Sequence, residues 1–193
     1  MKKSILSLAL AVIFSTAATA TTPIEGEKKS VKTAESTVVW KAYKVTGSHH
    51  GTIALKEGNL SFDGATLTGG SFVVDMTTIN SADLQAGQGK EKLEGHLHSA
   101  DFFGTEAHKT SSLVFKKVKS SGKNSYEVTG DLTIKGITKS VKFDVSVYGS
   151  KATATLKVDR TNFDIKYGSG SFFDNLGDKA IYDEFDLVVD LVF

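Results

Sequence analysis

A chain of 193 residues with 23 basic against 22 acidic side chains has no global field with which to collect nucleic acid or an anionic surface. It holds no cysteine, which excludes disulfides, thiolate catalysis and thiolate metal ligation together. Its size suits one domain, and its stability must come from packing and hydrogen bonding alone.

The chain opens MKKSILSLALAVIFSTAATA, with Lys2 and Lys3 ahead of an apolar run from Ile5 to Phe14 and the small residues Ala18-Thr19-Ala20. This is the layout of a secretory signal peptide over 1–20, and the run is well short of the ~20 residues that span a bilayer. With no cysteine after it, a lipid-anchored lipoprotein is excluded. Cleavage removes two lysines and no acid, so the mature chain stays near neutral, and the expected location is the periplasm. Residues 21–36, TTPIEGEKKSVKTAES, are polar, contain the only proline and read as a flexible lead-in to a domain over 37–193.

From residue 37 the apolar period is mostly two, the signature of strands. Strands are predicted over 37–47, 50–57, 58–63, 66–76, 111–119 and 151–167. Three further stretches, YEVTGDLTIKG, SVKFDVSVYG and EFDLVVDLVF, alternate most clearly: Val141, Phe143, Val145 and Val147 share one face, with Lys142, Asp144 and Ser146 opposite. The turn signals KEGN, DGAT, SSGKN, KGIT and YGSK separate them. Short turns make neighbours antiparallel, and the spacing fits a sandwich or an up-and-down barrel. An outer-membrane barrel shares this alternation. Its two aromatic girdles are missing, however, and strands such as KATATLKVD carry too little apolar area to face lipid.

Residues 81–104 break the pattern. Ser81 can N-cap a turn, and Leu93 and Leu97 stand four apart, so a short helix is predicted near 83–99, lying across an opening of the sheet. A second irregular segment covers 166–180. The stretch HLHSADFF, 96–103, is the densest in chemical side chains, yet His96 and His98 lack the i, i+4 spacing with which a helix chelates zinc. No GxSxG, phosphate-binding loop or HExxH occurs. Arg160, the only arginine, stands beside Asp159 and Asp164, as a structural ion-pair partner or as a contact for an anionic head group.

Five segments in order carry a resemblance: VVWKAYKVTGSHHGTIALKEGNL with His49 and Gly51 in an H-x-G arrangement, LEGHLHSADFF, YEVTGDLTIKGITKSVKF, VDRTNFDI and LGDKAIYDEFDLVVDLVF. Over about 37–193 the chain resembles the YceI-like family of bacterial periplasmic, lipocalin-like lipid-binding proteins. It departs at Ser140, where that family often has proline, at Asp164, where glycine usually follows the phenylalanine, and in lacking a proline after DFFG.

The resemblance implies an all-β fold, an extended antiparallel up-and-down barrel of about eight strands. Inside it would lie an apolar cavity for a polyisoprenoid, an isoprenoid quinone or a similar long-chain lipid. The candidate wall, taken from apolar strand faces, is Trp40, Phe72, Val74, Leu132, Ile134, Phe143, Val145, Leu156 and Phe163. The candidate mouth or cap is Leu93, Leu97, Phe102, Phe103, His49 and Arg160. No catalytic residue, metal or cofactor is expected beyond the bound lipid. The expected partner is that apolar lipid, with no nucleic acid and no transmembrane span after signal cleavage; a homodimer stays open. Two rivals remain: an enzyme acting on a lipid in the same cavity, with His49, His96 or Arg160 pointing inward beside a carboxylate, and a structural or adhesion barrel with a filled core.

Overall fold

Alternating sequence becomes long strands. The computed structural model of the chain describes residues 26–193; the expected signal peptide and the first residues of the lead-in lie outside the described residues. The strands are β1 (Glu27–Ser30), β2 (Thr37–Lys44), β3 (Gly47–Asp63), β4 (Thr66–Ser81), β5 (Thr110–Gly122), β6 (Ser125–Ile134), β7 (Ile137–Tyr148), β8 (Lys151–Asp159) and β9 (Ile181–Val192). One helix, α1 (Lys90–His98), lies between β4 and β5. Short 3-10 turns occupy Thr33–Glu35, Arg160–Phe163 and Gly177–Lys179.

All pairings are antiparallel, in the order β3-β2-β9-β8-β7-β6-β5-β4, and β3 also pairs with β4, which closes the sheet on itself. The result is an eight-stranded barrel with one extra strand, β1, and no open edge between β2 and β9. No helix among the described residues is long and apolar enough to cross a membrane.

The lead-in is corrected over its second half. β3 is 17 residues long against eight for β2, so its 59–62 stretch outruns that neighbour, and β1 covers the exposed edge by pairing 27–30 with 59–62. Val31 is buried, and its N–H donates to the Gly58 carbonyl at 2.9 Å. KEGN, read as a turn, is also corrected. β3 runs straight through it, with a register shift between Leu55 and Glu57 that bends the strand around the barrel. Gly58 is there for packing: a Cβ at that position would stand 2.7 Å from the Phe72 ring. The strand predicted over 151–167 stops at 159, where the Asp159 carboxylate accepts from the Thr161 N–H at 2.9 Å and starts a 3-10 turn. At the β6–β7 hairpin, Lys135 and Gly136 both have positive φ, 51° and 74°, as a two-residue turn matching the twist of its strands requires.

Up-and-down connectivity separates the ends. The tight β3–β4, β5–β6 and β7–β8 turns lie at one end. The other end carries the β2–β3 and β6–β7 turns together with both long connections, 82–109 and 160–180. That end holds the candidate mouth.

Candidate functional site

Inward positions of the eight barrel strands enclose a cavity of about 310 Å³. Its lining is aliphatic and aromatic almost throughout, and Ala42, Ala152 and Ala154 leave the space that larger side chains would fill. The structure places Trp40, Phe72, Val74, Leu132, Ile134, Phe143, Val145 and Leu156 on this wall. Phe163 is not on it, which corrects its assignment. The chain has left the sheet at Asp159, so period two no longer tells which face a side chain takes. Phe163 packs in the 3-10 turn at 1% exposure and borders a separate polar depression beside Lys139 and Lys157.

Trp40 is fixed by its indole N–H, which donates to the Asn80 carbonyl at 3.0 Å. Gly51 makes room for that bond. A Cβ there would collide with the Asn80 carbonyl and stand 2.8 Å from the Trp40 ring. Gly51→Ala is therefore expected to lower the unfolding free energy by about 3 kcal/mol, the upper end of overpacking costs, in urea denaturation.

Two residues before Gly51, the His49 ring Nδ1 lies 2.8 Å from the Asp83 carboxylate, and the His50 N–H donates to the same carboxylate at 3.2 Å. The H-x-G arrangement thus clamps the start of β3 to the segment that follows β4. Partial burial would raise the Asp83 pKa, but hydrogen bonds from His49, from the Ser81 hydroxyl and from backbone N–H groups overcome this and bring it down to about 2. A carboxyl held below its ordinary value of ~3.9 stabilises the fold above that pH, and the contribution fades as pH falls through the folded value. Asp83→Asn is accordingly expected to destabilise at neutral pH, with the gap to the wild type closing between about pH 4 and 2 in acid-unfolding curves.

The helix forms a roof over the mouth. Ser81 ends β4 rather than capping α1: its N–H donates at 2.9 Å to the Glu94 carboxylate on the helix, while Gly89 precedes the first turn with φ 96°. From that roof and the loop after it, Leu93, Leu97, Phe102 and Phe103 all face the cavity. Phe102 and Phe103 meet edge to face at 5.2 Å, and the Arg160 guanidinium lies 5.7 Å from the Phe102 ring.

Arg160 is 2% exposed and its donors are committed. Nε donates to the Tyr182 carbonyl at 3.1 Å, one terminal nitrogen to Ile165 at 2.8 Å, and the other to Ile181 at 2.9 Å and to the Asp183 carboxylate at 3.4 Å. Burial pulls its pKa down against Asp183 and Asp159, and it stays charged. Its ion-pair partner is Asp183, not the neighbours Asp159 and Asp164. Asp159 caps the 3-10 turn, and Asp164 pairs with Lys166 at 2.7 Å.

The histidines do not converge. His49 bonds Asp83, His98 Nδ1 lies 2.9 Å from the Thr105 hydroxyl, and His96 lines the cavity between the rings of Phe102 and Tyr167, at 5.3 and 4.2 Å. The His96 Nε2 is buried without a hydrogen-bond partner, and desolvation lowers its pKa against the opposing charge of Asp101, so the ring is neutral at pH 7. No group of three metal-ligating side chains gathers among the described residues. Sequence reasoning missed Asp183, 23 positions from Arg160, and the mouth residues Tyr43, Lys44, Ile181 and Tyr182, all at strand ends where the face is set by connections.

Comparison with known proteins gives one consistent set. The YceI-like domain matches residues 30–193. A UPF0312 protein of Pseudomonas putida is 32% identical over 151 residues, covering 77% of this chain and 74% of its own. Among solved structures, Burkholderia cenocepacia BcnA superposes with a TM-score of 0.67 at 22% identity, over 84% of this chain and 99% of that one. A polyisoprenoid binding domain from Saccharophagus degradans gives 0.59 at 13%, over 84% and 97%. The Campylobacter jejuni YCEI protein gives 0.52 at 16%, over 98% and 96%. At these identities the three structures share the fold.

Proposed function

The chain belongs to the YceI-like family, and from that premise we propose that it binds a long-chain apolar lipid, a polyisoprenoid or isoprenoid quinone, inside the barrel and carries it through the periplasm without chemical change. The observation that carries this reading is the cavity itself: a closed barrel whose inward faces are apolar and whose open end is roofed by Leu93, Leu97, Phe102 and Phe103. Its volume of about 310 Å³ lies at the lower bound of the ~300–1,000 Å³ typical of small-molecule sites. Each buried methylene contributes about 0.8 kcal/mol, so a few isoprene units outweigh the cost of association with no polar contact. The similar Saccharophagus degradans domain is described as polyisoprenoid binding, which agrees with this ligand class.

Carriage without catalysis is supported by where the polar groups point their bonds. His49, His96 and Arg160 all border the cavity. But His49 is engaged by Asp83 and Arg160 by three carbonyls and Asp183, carboxylates that do not line it, and His96 stands between the rings of Phe102 and Tyr167. A filled-core adhesion module is disfavoured by the open space. The test is organic extraction and mass spectrometry of protein purified from a bacterial host, with fluorescence titration of the delipidated protein by a polyprenol analogue. A stoichiometric prenyl lipid and saturable binding are expected. An empty extract with no saturable binding overturns the proposal.

A further inference from the structure

The eight large hydrophobic side chains exposed among the described residues are not evenly spread. Val114 and Val188 point outward from the barrel wall and Tyr148 stands at the far end, but the other five, Val45, Tyr167, Phe172, Phe173 and Tyr182, belong to the segments framing the mouth. Each of the five is between 49 and 56% exposed. They are held there by built contacts. The Val45 N–H donates to the Ala180 carbonyl at 3.3 Å, the N–H groups of Phe172 and Phe173 both donate to the Ser169 carbonyl at 3.2 and 3.0 Å, and the Ser171 hydroxyl donates to Asp183 at 2.6 Å. Tyr182 belongs to both surfaces, lining the cavity while standing half exposed.

Charges on this rim largely cancel. Lys166 pairs with Asp164 at 2.7 Å, Arg160 with Asp183 at 3.4 Å, and Glu184 with Lys157 at 3.7 Å. Lys157 also meets Asp186 at 3.1 Å, which leaves Lys44 and Lys179 against Asp159, Asp174 and Asp178 on these segments, a small acidic excess. A surface of this kind has no field for a polyanion. Aromatic rings with polar tips, and a lysine lying 5.2 Å over the Phe172 ring, suit the headgroup level of a bilayer.

We propose that this rim is a docking surface for the face of a zwitterionic lipid bilayer, against which the mouth is set so that a lipid tail passes between membrane and cavity without crossing water. The proposal rests on the lipid-binding reading and adds a partner to it. A long apolar chain has its reservoir in a bilayer, and the exposed side chains lie beside the mouth, on the β2–β3 turn and the stretch from Tyr167 to Tyr182.

The experiment pairs wild type with Phe172→Ser/Phe173→Ser, two side chains that do not line the cavity. Two readouts are taken. Flotation with phosphatidylcholine vesicles tests the rim, and binding of a polyprenol analogue delivered from ethanol tests the cavity. The double variant is expected to lose about tenfold in vesicle association and in the rate of lipid uptake from vesicles, with binding from ethanol unchanged. Wild-type association should survive about 1 M salt, where charge is screened beyond ~3 Å. Equal flotation and uptake by both proteins overturns the docking proposal, as does release of the wild type by salt. A dimer that the double variant breaks, with vesicle uptake unaltered, assigns the rim to a second copy and overturns it too. Failure of ethanol-delivered binding in both proteins, with flotation intact, strikes the cavity reading and leaves the rim standing.

Discussion

Ala154→Trp is expected to remove lipid binding while leaving the barrel folded. Ala154 lies in the middle of β8, paired with Val145 on β7 and Val189 on β9, and its methyl faces the cavity. An indole there enters space that is already open, so it need not displace wall side chains, and the melting temperature should hold or rise. The ligand loses what the indole occupies. Displacing about four methylenes of a tail removes about 3 kcal/mol, roughly a hundredfold in affinity. Thr155→Trp, one residue on and facing solvent, is the control and should bind as the wild type does. Unchanged affinity in Ala154→Trp, with the fold intact by circular dichroism, would show that the tail lies elsewhere.

The barrel was legible because its wall obeys a simple rule: where a strand stays in the sheet, period two names the inward face, and eight of nine wall candidates taken this way stand on the cavity. The misreadings mark places where the rule lapses. KEGN carries the letters of a turn, but Gly58 is required by the Phe72 ring on the neighbouring strand, a cause that no local pattern contains. Phe163 follows the last sheet residue, so its parity carried no information. The strand at 27–30 is polar in sequence, and it forms because an edge on β3 needed a partner.

The mouth was less legible. Leu93 and Leu97 could be placed because a helical spacing of four sets one face, whereas Phe102 and Phe103 follow the helix in a loop, where that spacing says nothing. Phe172 and Phe173 could not: an apolar pair in a loop is as compatible with core as with surface, and only the path of 160–180 puts them outside. Asp164 is instructive here. It has φ 59°, the left-handed region that glycine enters without cost, so the family's usual glycine at this position has a backbone reason, and aspartate is among the few residues that tolerate it.

Arg160→Met is expected to destabilise the fold by about 3–5 kcal/mol, because it breaks a buried ion pair from one side only. The loss strands three carbonyls, those of Ile165, Ile181 and Tyr182, along with the Asp183 carboxylate. Asp183 is itself partly buried, which works against its ionisation, and hydrogen bonds from Ser169 and Ser171 together with Arg160 hold its pKa below the ordinary value. Arg160→Lys should recover less than half of the loss, since one ammonium cannot replace a planar fork that reaches two elements at once. Arg160→Met/Asp183→Asn should recover more, by removing the uncompensated charge along with its partner. A head-group role predicts a different pattern: Arg160→Met would keep its urea midpoint and lose affinity for anionic lipids alone. The committed donors favour the first outcome. Because the same bonds anchor 160–182, the loop that carries the rim, the destabilised variants should also take up lipid from vesicles more slowly at temperatures where the barrel itself remains folded.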